Sequence, residues 1–223
     1  MPVLAYILVA VAAYLLGSIP FGFLAAKVKG IDIRSVGSGN IGATNAMRVL
    51  GKPIGIAVLL LDVLKGFAAV AWLTPMNYNW IEPHYFGLAP GFAAASVAVR
   101  IKFMVLAGVC VVLGHNYTCW LKFKGGKGIA TTAGVYLALA PLPLLIALLV
   151  FILVVAMTRY MSVGSIAGAI VLPVTVWIMT PHNLLLGIVT TALGALAIYK
   201  HKSNIQRLLA GTENRLGQKK ETK

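Results

Sequence analysis

Runs of apolar residues as long as a bilayer is thick occupy most of this chain, at about 3–24, 54–74, 103–121, 130–157, 161–180 and 183–199, with a shorter run near 86–99. A spanning helix needs roughly 20 such residues, and within lipid the backbone must satisfy its own hydrogen bonds. The runs predict an all-α, polytopic integral membrane bundle. With 223 residues, 60% hydrophobic and 11% charged, the chain has no room for a sizeable soluble domain, and residues 1–223 are read as one membrane-embedded domain. Chemistry must then sit in the helices or their short loops. The first run, Val3 to Leu24, has no basic stretch before it and reads as a retained span, not a signal peptide.

A net charge of +14 resembles a nucleic-acid signature, but its distribution is that of a membrane topology, and no nucleic-acid partner is expected. Fifteen of the 19 basic residues fall in three places: Lys27 to Lys52, Lys122 to Lys127, and the tail from Lys200. By the positive-inside rule these segments face the cytoplasm, and Pro75 to Gly91, which has no basic residue but carries Glu82, Trp80 and Tyr85, faces out. An even number of crossings must then separate Gly128 from Lys200. Segment 130–157 is accordingly expected to cross twice, as two short helices broken at Pro141 and Pro143. Seven spans follow, N-terminus out and C-terminus in. Arg100 and Lys102 fit this scheme least well, and 86–99 is open between a surface and a re-entrant helix. Cys110 and Cys119 have neither framework nor CxxC spacing and read as packing residues. No internal repeat is visible, and only the last six or so residues are expected to be disordered.

Three polar blocks interrupt the hydrocarbon pattern. The first is Gly37-Ser38-Gly39-Asn40-Ile41-Gly42-Ala43-Thr44-Asn45, with Arg48 close behind. Its glycines permit close backbone approach, its hydroxyls and amides donate and accept, and Arg48 adds a fixed charge, a set that suits a phosphate. Gly37-x-Gly39-x-x-Gly42 also matches a dinucleotide fingerprint, but no strand precedes it and Asp62, at the ribose-binding distance, lies inside the second span. The second block is Gly114-His115-Asn116-Tyr117, continuing to Lys124-Gly125-Gly126-Lys127-Gly128. Two lysines around paired glycines can wrap N–H groups and ammonium charges about a phosphate, although this is no Walker A loop. His115 is open between a site role and a hydrogen-bonded structural one. The third block is His201-Lys202-Ser203-Asn204-Ile205-Gln206-Arg207 with Glu213, in which His201, Asn204 and Leu208 share one helix face. A juxtamembrane basic helix that touches anionic lipid has the same pattern. Asp62 and Lys65, three apart inside a span, can pair on one face; each would cost roughly 2.5–3.5 kcal/mol unpaired at the bilayer centre. They read either as a functional pair or as a brace of the bundle.

In this order and at these span boundaries, the three blocks closely resemble the signature motifs of the bacterial acyl-phosphate:glycerol-3-phosphate acyltransferases, the PlsY family. The resemblance implies transfer of a fatty acyl group from acyl phosphate to the 1-hydroxyl of glycerol 3-phosphate, giving lysophosphatidic acid and phosphate, at a site on the cytoplasmic side of the inner membrane. Ser38, Arg48, His201 and Asn204 are the implied catalytic residues. Gly37, Gly39, Asn40, Gly42, Thr44, Asn45, His115, Asn116, Lys124, Gly125, Gly126, Lys127, Gly128, Arg207 and Glu213 are the implied substrate-binding residues. Ser203 and Gln206 stand where charged residues are common in the family.

The chemistry fits the residues. Acyl phosphate is already activated, so the site must bring two anions together and deprotonate one alcohol. The five acids are scattered and Ser38 has no base near it in sequence, so a Ser-His-Asp triad and a covalent acyl-enzyme are disfavoured. The base is either His201 or a substrate phosphate oxygen. No cofactor and no metal are expected; membrane lipid is the expected surrounding partner. Two rivals have specific signatures: a phosphate or phosphoester transporter should show inverted repeats, and a lipid-binding scaffold would leave the glycines and asparagines unused.

Overall fold

The computed structural model describes residues 2–73 and 92–217, and among these all regular structure is helical. Ten α-helices follow in chain order: α1 (Pro2–Ser18), α2 (Phe21–Val28), α3 (Ala43–Leu50), α4 (Lys52–Ala71), α5 (Phe92–Asn116), α6 (Ile129–Leu139), α7 (Pro141–Thr158), α8 (Met161–Met179), α9 (Leu184–Lys200) and α10 (Lys202–Leu209). They fall into two compact units, Met1–Leu139 and Ala140–Lys223.

Among the described residues five stretches are long and apolar enough to cross a membrane: Val3–Val28, α4, Val99–Leu121, α7 and α8; the α9–α10 pair, bent by 51° at His201, is a sixth if taken as one span. The outward faces carry what such an assignment requires. Leu4, Ile7, Leu8 and Val11 of α1, Leu60 and Leu64 of α4, and Leu145, Leu149 and Ile152 of α7 are all exposed. In water so much apolar surface would drive association; against acyl chains it costs nothing.

Several expectations meet a different geometry. The first run is not one helix: it breaks at Ile19 and Pro20, since proline lacks an N–H and disfavours helical backbone at the residue before it. The pair expected in 130–157 divides at Ala140, giving α6 of 11 residues and α7 of 18. Only α6 is clearly short, reaching about 16 Å at 1.5 Å per residue. Residues 92–99 begin the unbroken α5, with Arg100 and Lys102 exposed on it, so they form no separate surface helix. The outward loop Pro75 to Gly91 and the end of the tail expected to be disordered lie outside the described residues. Cys110 and Cys119 are both free thiols.

In the first unit, glycine lets backbones meet. A Cβ on Gly17 of α1 would strike the Val111 backbone of α5, and one on Gly114 would strike the Tyr14 carbonyl. Gly66 and Gly134 do the same for α4 and α6. Tyr6 stacks on Phe103 with ring centroids 4.2 Å apart, Thr118 Oγ1 donates to the Ser18 carbonyl at 2.6 Å, and the Tyr14 hydroxyl donates to the Tyr117 carbonyl at 2.7 Å. The C-terminal end of α5 is thereby pinned to the end of α1. In the second unit α8 packs between α7 and α9, with Gly187 set against the Trp177 ring.

Candidate functional site

The first polar block folds around one side chain. Asn45, on the first turn of α3 and 1% exposed, turns its carboxamide back into the preceding loop. Its Nδ2 donates to the carbonyls of Ile33, Val36 and Asn40 at 3.2, 3.1 and 2.9 Å, and its Oδ1 accepts the Ser38 N–H at 2.8 Å. Gly37 must be glycine, because its φ is +65° and a Cβ there would meet Asn45 Oδ1. Gly39, at φ +70°, completes the turn. Asn40 Oδ1 takes the Gly42 N–H at 2.8 Å, and Gly42 is the N-cap residue of α3. The amides of Asn40 and Asn45 thus shape the loop; Ser38 and Thr44 stay half-buried, and Arg48 is exposed in the last turn of α3. At the loop's outer edge Arg34 grips Asp32 through side-chain hydrogen bonds of 2.9 and 2.7 Å, which hold that carboxyl down at about 2.

The second block stands on the same base. Leu121 is buried in one apolar cluster with Ile33, Ile41, Ala43 and Val58, so the loop before α3 and the turn after α5 share a core. Lys122 and Phe123 both take left-handed backbone, φ 52° and 59°, which reverses the chain. Gly125 N–H then bonds the Asn116 carbonyl at 3.2 Å and Gly126 N–H bonds the His115 carbonyl at 3.0 Å. These two N–H groups were expected to face a ligand; they turn inward, onto the end of α5. Side chains would collide at both positions: a Cβ on Gly125 with the His115 carbonyl, and one on Gly126 with the His115 ring. Gly128, at φ +83°, lies against the Asn116 carboxamide and leads into α6. Lys124 is exposed and Lys127 half-buried. His115 and Asn116 are buried beneath it.

The third block is assembled within the second unit. His201 ends α9, is 3% exposed, and places Nδ1 2.7 Å from the Ala197 carbonyl. That partner is an acceptor, so Nδ1 carries a proton. Asn204 lies one turn on, also buried, on the face shared by His201 and Leu208. Glu213 organises them: Oε1 accepts from Asn204 Nδ2 at 2.7 Å and Ser162 Oγ at 3.0 Å, and Oε2 from Arg207 Nε at 2.7 Å. Burial by itself would raise the Glu213 carboxyl, but the hydrogen bonds from Asn204, Arg207 and Ser162 outweigh it and hold the group below the usual carboxylate range. The expected ligand-binding roles of Arg207 and Glu213 therefore sit beside a plain structural one, orienting Asn204. The tail is fixed further by Arg159, whose Nη2 donates to the Leu216 carbonyl at 2.9 Å while its own carbonyl accepts Leu216 N–H at 2.8 Å.

Ser18, Thr118 and Ser162 were not singled out by sequence reasoning. Their signal was a hydroxyl at the edge of an apolar run, which is too common to stand alone. Among the described residues no three His, Cys, Asp or Glu side chains converge as metal ligands would.

Comparison with known proteins gives a consistent result. Residues 7–211 match the family model described as glycerol-3-phosphate acyltransferase. The glycerol-3-phosphate acyltransferase of Desulforamulus reducens is 45% identical over 215 residues, 96% of each chain. That of Clostridioides difficile is 45% identical over 223 residues, covering 99% of this chain and 100% of its own. Among solved structures, PlsY, an integral membrane glycerol 3-phosphate acyltransferase, is similar in its glycerol 3-phosphate form with a TM-score of 0.79 at 38% identity, covering 95% of this chain and 96% of that one. Its lysophosphatidic acid form gives a TM-score of 0.75 at the same identity.

Proposed function

Because the chain belongs to the glycerol-3-phosphate acyltransferase family, we propose that it transfers a fatty acyl group from acyl phosphate to the 1-hydroxyl of sn-glycerol 3-phosphate, giving lysophosphatidic acid and phosphate, the first acylation in bacterial phospholipid synthesis. The observation that carries this reading is the shared base of two phosphate-suited loops in one unit: Ser38 on one, with Arg48 on the helix that follows it, and Lys124 and Lys127 on the other, joined through Leu121, Ile33 and Ile41. The solved relatives in glycerol 3-phosphate and lysophosphatidic acid forms support the same acceptor and product here.

The step balances without a cofactor. The acceptor's 1-oxygen attacks the acyl carbonyl, the bond from that carbon to the phosphate oxygen breaks, and phosphate leaves with the electron pair. The hydroxyl proton passes to His201 Nε2 or to a substrate phosphate oxygen, whose second pKa near 6 suits neutral pH. Lys124 and Lys127 hold the acceptor phosphate; Ser38 and Arg48 orient the donor; His201 and Asn204 order the attacking hydroxyl. All of residues 1–223 serve this one reaction, as a multi-pass protein of the inner membrane with seven spans and the three basic segments toward the cytoplasm.

Purified protein given an acyl phosphate should release inorganic phosphate only when glycerol 3-phosphate is present. It should not use a thioester donor and should keep its rate in excess chelator. Phosphate release without the acceptor, equal use of acyl thioester, or loss of activity restored by magnesium would overturn the corresponding part of the proposal. For sidedness, Ser35→Cys and Ser203→Cys in a background lacking Cys110 and Cys119 should both be protected from an impermeant thiol reagent in intact cells. Labelling of both from outside would reverse the orientation; labelling of Ser203→Cys alone would remove the even number of crossings between Gly128 and Lys200.

A further inference from the structure

Under the glycine-lysine loop, in the first unit, lies an ion cluster that the reaction does not use directly. Asp62 and Lys65 of α4 are each 2% exposed, and their side chains meet with Nζ 2.7 Å from Oδ1. Lys65 Nζ also donates to the Ile19 carbonyl at 3.0 Å and sits 5.3 Å from the centre of the Phe21 ring. Ile19 is where α1 breaks before Pro20. On its other side, Asp62 Oδ1 faces His115 Nδ1 at 3.4 Å. The far edge of the His115 ring is the surface on which Gly126 rests: a Cβ on Gly126 would strike Nε2, Cε1 and Cδ2. The His115 carbonyl takes the Gly126 N–H as well.

A brace of the bundle would need only the Asp62–Lys65 pair. Here the pair is extended, through one carboxylate oxygen, to the ring that forms the floor of the loop. The bond that Lys65 makes to Ile19 fixes the other end to the break between α1 and α2. A loop whose two inner N–H groups are already spent on α5 has little freedom of its own, so its height above α5 is set by the ring beneath it.

We propose that Asp62, Lys65 and His115 form a buried positioning relay, in which Asp62 holds the His115 ring as the floor of Gly126 and so sets where Lys124 and Lys127 meet the acceptor phosphate. This rests on the reading of that loop as the seat of glycerol 3-phosphate. None of the three is a catalytic residue in the sense of touching the reacting atoms. A shift of the loop by about 1 Å is enough to cost a large factor in a positioned reaction, and here the cost falls on acceptor binding.

The test is a split of KM against kcat in purified protein. Asp62→Asn with Lys65→Met removes both charges together, leaving no buried ion unpaired. It should raise the KM for glycerol 3-phosphate about ten- to a hundredfold, leave the KM for acyl phosphate unmoved and hold kcat within about threefold. If that protein does not fold, Asp62→Glu replaces it: the charge stays, and the longer side chain pushes the ring toward Gly126, with the same expected rise. A wild-type acceptor KM in the folded variant overturns the relay, and so does a fall in kcat with KM unchanged. Lys127→Ala, measured in parallel, separates the two readings. If it raises the acceptor KM while the Asp62 variant does not, the relay fails and the loop assignment stands. If Lys127→Ala leaves that KM unchanged, the loop assignment fails, and the relay with it.

Discussion

Replacing His201 by alanine is expected to lower kcat on the order of 10²–10⁴ while leaving the KM for glycerol 3-phosphate near its starting value. The reason is the way the ring is held. It is buried at the bend between α9 and α10, and the Ala197 carbonyl, 2.7 Å from Nδ1, fixes both its orientation and its tautomer. Nε2 is thus aimed in one direction, which matters only where a proton moves or charge develops. The backbone at the bend does not depend on the side chain, since the His201 carbonyl accepts the N–H groups of Asn204 and Ile205 whatever the residue. Folding should therefore survive the change. Two forms of the result identify the base. Loss of the acidic limb of the pH profile in the variant assigns the proton to His201; a limb that survives at reduced rate assigns it to a substrate phosphate. Lys127→Ala should behave in the opposite way, raising the acceptor KM with kcat nearly intact, because its charge grips the phosphate in ground and transition states alike. A folded His201→Ala protein working at the wild-type rate would exclude both roles and return the third block to a lipid-touching helix.

The helical membrane architecture was legible because lipid leaves so few alternatives: runs of roughly 20 apolar residues have one way to satisfy their backbones. The break at Ile19–Pro20 was not read, although Pro20 stood in plain view, because the hydropathy of residues 3–24 continues through it. Hydropathy reports which solvent a segment prefers and says nothing of its axis. The division of 130–157 was found for the complementary reason, that charge parity demanded it and Pro141 and Pro143 supplied the means.

Within the site, sequence located the loops and misjudged which way their polar groups point. Glycines at 37, 39, 125, 126 and 128 were read as room for a ligand. At 125 and 126 the space is filled by the end of α5, and at 37 by Asn45. The pattern is the same in either case, because a Cβ is excluded equally by a substrate and by the protein itself. Asn45 and Glu213 show the companion ambiguity. An amide or carboxylate in a ligand-suited block can spend all its capacity on holding the block, and only three-dimensional partners tell the two uses apart. The Asp62–Lys65 pair was visible at its spacing of three, but His115, 50 residues further along, was not connected to it by any periodicity.

Asn45→Asp should disable the enzyme while leaving most of the fold in place. The side chain keeps its size, and one carboxylate oxygen can still accept the Ser38 N–H as Oδ1 does now at 2.8 Å. What is lost is the donor. Two N–H bonds of one amide serve the carbonyls of Ile33, Val36 and Asn40, and in the variant an acceptor would face three acceptors. Each buried polar group left without a partner costs about 1–3 kcal/mol. The loop is at the edge of the unit, so it should open to water instead of accepting that cost, and Ser38 would move with it. Displacement of a positioning residue by about 1 Å is worth on the order of 10² in rate, so kcat/KM should fall by at least that factor. The apolar base of Ile33, Ile41, Ala46, Val58 and Leu121 contains no group that Asn45 satisfies by its side chain except the Ile33 carbonyl. The thermal midpoint should accordingly change far less than the activity. Gly37→Ala, which would press a methyl group against the same carboxamide oxygen from a left-handed position, should give a similar loss. Wild-type kcat/KM in Asn45→Asp would mean that the loop holds its shape without the amide, and that Asn45 neither sets the site nor acts on the substrate.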